Sequence, residues 1–269
     1  MKHEERLKDA VDFLMWSYFN LALNDGDKID RILGISVSKA YSDATQQGAY
    51  NTSLKGDDLK SLAREAEKAA GKELLKQIDA LTSDKLRDYN EWHTGICTKI
   101  TEKYAQINQV NREKLFSYGN AQKWVNMTLK YLYMLYWLYD AFSPECDFCQ
   151  SYGSLIKNYA SSFHIPVDSF IIDTLWTQTD IELPLKEDKT TRGKDYKHPS
   201  DYVTAWSKWS GPVSGSEPCS DYEKFQKTMQ NHTILQGKSQ LEWEGPAWIA
   251  EAKRRKANSF AEIEKLYKE

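Results

Sequence analysis

The apolar run Ala121–Phe142 at the centre of the sequence reads as a helix and limits what can form around it. Its most membrane-like part, Tyr131–Phe142, is twelve residues long and is broken by Asp140. A run that short does not span a bilayer, so a buried helix inside a helical protein is expected. Nothing in the rest of the chain repeats, and no series of segments alternates as strands do. The expected class is therefore all-α, a multi-helix globular fold.

Other segments carry the same period. Glu4–Leu23 places Leu7, Val11, Leu14, Tyr18 and Leu21 on one helical face, and Asn24-Asp25-Gly26-Asp27 ends it. A second helix is expected at Ile29–Ala40, followed by a polar, turn-rich loop at Tyr41–Gly56. Asp57–Leu81 reads as a charged helix with Leu59, Leu62, Ala66, Ala69 and Leu74 as its apolar stripe. Ser83–Gln106 reads as another, with Ser83 as its cap. From Asp180 to Asp221 the prolines Pro184, Pro199, Pro212 and Pro218 oppose regular structure, so an irregular segment is expected near 180–220. Trp206 and Trp209 should dock that segment. Helices resume at Asp221–Asn231 and Pro246–Lys256, and Ser259 with Glu262 forms a capping box for a last one.

The chain has 269 residues, enough for one large domain or two small ones. We expect a single helical domain over 1–269, in two lobes with a cleft between them. A hydrophobic share of 41% and a charged share of 28% mark it as globular. The net charge of −3 opposes broad, nonspecific coating of nucleic acid but leaves room for a local basic face. The acidic start of the chain lacks the apolar stretch of a secretory signal, so a cytoplasmic protein is expected. Cys97, Cys146, Cys149 and Cys219 are too few for a disulfide scaffold. Cys146-Asp147-Phe148-Cys149 has metal-ligand spacing, but a zinc site would need two more ligands, for instance His164 and Cys97. Reduced, structural thiols and no metal are expected.

Two residues suggest chemistry. Gly119 suits the φ > 0 position of a tight hairpin, which would place Lys123 in the first turn of the helix after Ala121. There the helix dipole and burial disfavour the ammonium form, and a neutral amine is a nucleophile. Asp168 follows Pro166 at a second helix start, where the dipole keeps a carboxylate ionised. As bland alternatives, Lys123 is an exposed first-turn lysine and Asp168 an ordinary N-cap.

The segment Phe116-Ser117-Tyr118-Gly119-Asn120-Ala121-Gln122-Lys123, followed by Pro166-Val167-Asp168, resembles the helix-hairpin-helix DNA glycosylases over about 112–176. The hairpin departs from that family's glycine-x-glycine-x-lysine pattern, with Ala121 at the second glycine. The interval from Lys123 to Asp168 is longer than in most members and closer to the archaeal 8-oxoguanine glycosylases. The insertion this requires would be Ala141–Phe163.

The resemblance implies that Lys123 attacks the anomeric carbon of a nucleotide and that Asp168 stabilises charge on the sugar as the base leaves. Strand cleavage at the abasic site would be a second step, and no cofactor is implied. The partner would be DNA, in repair of a damaged base or in defence against modified phage DNA. Backbone amides of Tyr118, Gly119, Asn120 and Ala121, with Lys130, would hold phosphate. Gln122, Trp124 and Asn126 would line a base pocket, and Trp92 and His93 suit it chemically. The acidic and aromatic cluster Leu241–Trp248 would read a base or form a structural lid. Lys253-Arg254-Arg255-Lys256 would touch phosphates or lie in solvent. Two other classes stay open: a non-catalytic all-α module binding nucleic acid or protein, and a zinc-stabilised regulatory module built on Cys146 and Cys149.

Overall fold

The computed structural model describes residues 3–23, 29–46, 49–83, 88–112, 115–186, 198–209, 211 and 221–257. Among them the protein is all-α, with no strand and one isolated antiparallel bridge between Leu185 and Val203. No helix among the described residues is long and apolar enough to cross a membrane. The chain divides into two compact units, Met1–Phe163 and His164–Glu269. The 112–176 stretch crosses that division, with Lys123 in the first unit and Asp168 in the second.

The first unit is built on α7 (Tyr118–Phe142), which packs against α2 (Ile29–Ala44), α5 (Tyr89–Lys103) and α8 (Asp147–Tyr159). Its start differs from expectation. Ser117 is the N-cap: its Oγ accepts the Asn120 amide at 3.2 Å, and Asn120 Oδ1 accepts the Ser117 amide at 3.1 Å. This reciprocal box starts the helix at Tyr118, so Gly119 is helical rather than the turn residue. The connection between helices lies earlier, after α6 (Ala105–Val110), where the Asn108 side chain pairs with both the N–H and C=O of Phe116 at 2.9 Å. Asn120 Nδ2 also donates to Ala44 O at 2.8 Å, fixing the start of α7 to the end of α2.

Several boundaries and faces moved because tertiary burial outweighed local pattern. The expected loop Tyr41–Gly56 is partly helical: α2 runs to Ala44 and α3 spans Ala49–Ser53. Tyr41 and Tyr50 are buried, Tyr50 edge-on to Phe116 at 5.6 Å. In α4 (Asp57–Ser83) the inward face is Ala63, Ala66, Ala70, Leu74, Ile78 and Leu81, whereas Leu59 and Leu62 are only half-buried and Ala69 is exposed. Those small residues allow close approach; a Cβ on Gly71 would sit 3.4 Å from Val37 Cγ1. The expected helix Ser83–Gln106 starts at Tyr89, capped by Asp88 rather than Ser83, and breaks at Tyr104. The Tyr104 ring stacks on Phe116 at 3.8 Å.

In α1 (His3–Phe19) Met15 and Phe19 are buried, and Phe19 meets Tyr131 edge-on at 5.3 Å. Of the expected face, Leu21 is fully buried and Val11 half-buried, whereas Leu7, Leu14 and Tyr18 are about half exposed or more, at 48%, 64% and 51%.

The second unit pairs α9 (Ser169–Gln178) with α11 (Gln240–Arg255). Trp206 and Trp209 are buried as expected, and Trp209 packs on Phe225 of α10 (Asp221–Gln230) at 5.2 Å. The cluster Leu241–Trp248 lies inside α11 rather than before a helix, because Ser239 and Glu242 form its capping box and Pro246 is accommodated within it. Residues 187–197, 212–220 and 258–269 are outside the described set, and with them Pro212, Pro218, Cys219 and the Ser259 box; so is the Asn24–Asp27 turn.

Candidate functional site

Lys123 is the sixth helical residue of α7 and only 7% exposed, one turn deeper than expected. At about 100° per residue, Gln122 and Asn126 lie within about 40° of each other and Trp124 about 160° from both, with Lys123 between them, about 100° from Gln122 and from Trp124. Contacts agree. Asn126 and Gln122 are fully buried, and Asn126 Nδ2 donates to Gln122 Oε1 at 3.0 Å. Asn126 Oδ1 accepts from His93 Nε2 at 2.8 Å, and the Cys97 thiol lies 3.7 Å from His93 Nδ1. The chain of bonds thus runs from Cys97 through His93 and Asn126 to Gln122, whose Nε2 is buried with no hydrogen-bond partner. Burial pushes His93 down to about 4, so it is neutral near pH 7, and burial pushes the Cys97 thiol up. Tyr118 faces Cys97.

Aromatic rings border this polar group. Tyr89 lies 5.7 Å from Trp92, 5.9 Å from His93 and 5.8 Å from Phe163, ring centre to ring centre. The buried indole N–H of Trp92 has no hydrogen-bond partner. Tyr89 and Phe163 were missed in the sequence, and Cys97 was read there only as a possible zinc ligand. The i,i+4 pair His93 and Cys97 on one helix was a usable signal for Cys97; Phe163 carried none.

Trp124 does not belong to this group. It is 1% exposed, donates its indole N–H to Val37 O at 2.9 Å and lies 4.7 Å from Tyr41, which makes it a core residue between α7 and α2. The hairpin amides also differ from expectation. Those of Asn120 and Ala121 are bonded to Ser117 Oγ and Ser117 O, and Gly119, Asn120 and Ala121 are buried. Tyr118 and Lys130 are half-buried. An open cleft of about 590 Å³ in this unit, lined in part by Asp30, Leu33, Lys76, Asp79 and Tyr152, contains none of these residues.

In the second unit Asp168 is the N-cap of α9, accepting the amides of Phe170 and Ile171 on Oδ1 at 2.9 and 3.0 Å. Its Oδ2 accepts the indole N–H of Trp248 at 2.9 Å. The preceding segment is held on both sides of one residue: Ile165 N–H donates to Gln240 Oε1 at 2.8 Å, and Ile165 O accepts from Gln226 Nε2 at 3.2 Å. Pro166 keeps Ile165 out of the helical region, so the chain enters α9 extended.

The basic run is half structural. Arg255 bonds the fully buried Asp173 at 2.6 Å and Ser169 O at 2.7 Å, and lies 4.0 Å over the Phe170 ring. Arg254 pairs with Glu251 at 2.7 Å, while Lys253 and Lys256 are exposed.

The other suggested zinc ligands are engaged elsewhere. Cys97 sits against His93, and His164 Nδ1 pairs with Tyr222 Oη at 2.9 Å. Among the described residues, no group of three or more His, Cys, Asp or Glu could hold a metal ion.

No protein-family model matches the chain, and no curated protein or solved structure matches it.

Proposed function

We propose that this chain is a DNA glycosylase of the helix-hairpin-helix type that also cleaves the strand at the abasic site it creates. Lys123 is the nucleophile. Its amine attacks the anomeric carbon as the base leaves, forming a Schiff base from which the strand is cut by elimination. Asp168 opposes the positive charge that develops on the sugar. Gln122 and Asn126 hydrogen-bond the extruded base, while Trp92 offers it a stacking surface. The base itself is oxidised or otherwise modified, in repair or in defence against phage DNA.

The observation that carries this reading is the burial of Lys123, which is only 7% exposed within α7. Removal from bulk water is the setting in which a lysine amine serves as a nucleophile. The unpartnered Gln122 Nε2 adds a donor for a base carbonyl. Single-turnover excision on duplexes carrying oxidised or bulky modified bases tests it, with Lys123→Gln and Asp168→Asn as variants. Thermal melting of both variants separates lost chemistry from lost fold. Wild-type excision rates in both folded variants would end the proposal.

A second reading has its own support. Asp168 already serves a helix cap and Trp248, and Ser117 already satisfies two hairpin amides. Under it the chain is a non-catalytic helical module that binds nucleic acid or protein.

A further inference from the structure

Helix α1 carries two apolar faces, and its own unit covers one of them. Among the described side chains of α1, Met15 and Phe19 alone are buried, so the earlier turns rest on half-buried Lys8, Val11 and Asp12. Asp12 accepts the Leu23 N–H and is thereby engaged with the body. Leu7, Val11, Leu14 and Tyr18 form the second face. Their intervals of four, three and four are those of a coiled-coil seam, with Leu7 and Leu14 at d positions and Val11 and Tyr18 at a. At about 100° per residue, this seam lies about 90° round the helix from Met15 and Phe19. Three of its four side chains are about half exposed or more. Tyr18 fixes one end: its hydroxyl pairs with Tyr131 Oη at 3.0 Å, and Lys39 Nζ lies 4.4 Å over its ring. Most helical stability in proteins comes from packing an apolar face, and this face is open.

We propose that the seam pairs with the same seam of a second copy of this chain, as a parallel two-stranded coiled coil about a two-fold axis. The pairing goes beyond the glycosylase reading and does not depend on it. Residue type selects the arrangement, because a β-branched residue at a with leucine at d favours two parallel strands, and Val11 lies between Leu7 and Leu14. Charge permits it. From Leu7 to Tyr18 the charged residues are Lys8, Asp9 and Asp12, at e, f and b positions, and none lies on the seam. Its outer flank holds the exposed small residues Ala10 and Ser17, so two copies approach there without like charges meeting. A membrane surface fits less well: helices that lie on bilayers are rich in Lys and Arg, whereas Glu5, Asp9 and Asp12 here outnumber Arg6 and Lys8. The seam is only roughly two heptads long, so the contact is smaller than the standard interface of about 800 Å² per partner and the dimer is weak and reversible.

Sedimentation equilibrium of the full chain across a wide concentration range tests this. We expect a reversible monomer–dimer equilibrium with a midpoint on the order of tens of micromolar. Leu14→Glu, at an exposed position, should weaken association by at least about tenfold while melting of the dilute protein is unchanged. Leu7→Cys and Leu14→Cys, each oxidised on its own in concentrated solution and mapped by peptide mass, should each link to the same position of the other copy. An antiparallel pair links at one of them at most. A wild type that stays monomeric throughout, a dimer that Leu14→Glu leaves intact, or a link at only one position would overturn the proposal. A monomer that instead floats with phosphatidylglycerol vesicles would overturn it too, and make this face a membrane contact. The wild-type sedimentation decides even where a variant fails to fold.

Discussion

His93 Nε2 and Asn126 Oδ1 lie 2.8 Å apart where α5 packs on α7. That bond fixes more than one side chain. With Oδ1 occupied as an acceptor, the Asn126 amide nitrogen faces Gln122 Oε1, and the Gln122 amide nitrogen is turned to a position with no protein acceptor. The Gln122–Asn126 pair is therefore oriented from α5, not from α7 alone.

The pH dependence of stability should report this buried histidine. Its value falls from 6.5 to about 4 through burial, so between those values the unfolded chain binds the extra proton. The stability it contributes is complete above the unfolded value and is lost as pH falls toward the folded one. A shift of that size corresponds to about 3 kcal/mol. Urea denaturation at about pH 7.5 and about pH 4.5 should show a larger acid loss in wild type than in His93→Gln, by roughly that amount. Equal losses would show that His93 is not its source.

Asn126→Ala should destabilise the first unit by about 2–3 kcal/mol, because it strands the His93 donor and the Gln122 carbonyl in a buried site. Chemical denaturation at neutral pH measures it. A loss below about 1 kcal/mol would mean that water replaces the amide without penalty.

The whole sequence pattern was legible as a helical fold, because the 3.6-residue period recurs in the long segments. What it missed are contacts between distant residues. Ser117 caps α7 through Asn120, whose amide also reaches Ala44; an asparagine in place of the usual Glu or Gln hid the box and made Gly119 look like the turn. The face read for α1 is covered only in part, at Val11 and Leu21, because period alone identifies an apolar face without saying which side the rest of the fold covers. Gln122 and Asn126 could be placed on one face from spacing, and Trp124 could have been set apart from them by the same spacing. The partners of Asp168 could be read only by half: its cap to Phe170 and Ile171 is local, whereas Trp248 is eighty residues away.

Asp168 should reveal two separable roles. Asp168→Asn keeps the cap on its one oxygen but sets an amide N–H against the Trp248 indole donor, so it should cost about 1 kcal/mol in melting, while base excision falls by roughly 10²–10³. Asp168→Ala should in addition cost about 1–2 kcal/mol, since the α9 amides and the Trp248 indole lose their acceptor. Melting curves and single-turnover rates on the same preparations distinguish them. Asparagine as damaging to stability as alanine would show that the charge itself holds the fold.

The basic run Lys253–Lys256 should divide sharply. Arg255→Met leaves Asp173 without its closest cation in a fully buried site and should cost about 3–5 kcal/mol. Lys253→Met, at an exposed position, should stay within about 0.5 kcal/mol of wild type. Equilibrium unfolding checks both, and comparable small effects would show that the Asp173 pair is dispensable.

The central claim is that Lys123 bonds covalently to the sugar. Incubation with duplex DNA containing one abasic site, followed by borohydride reduction, should give a protein–DNA adduct in wild type. It should be absent from Lys123→Gln, while that variant still melts and binds DNA like wild type, since phosphate contacts elsewhere set affinity. Peptide mapping should place the reduced link on Lys123. An adduct that persists in Lys123→Gln, or no adduct with the folded wild type, would contradict the covalent mechanism.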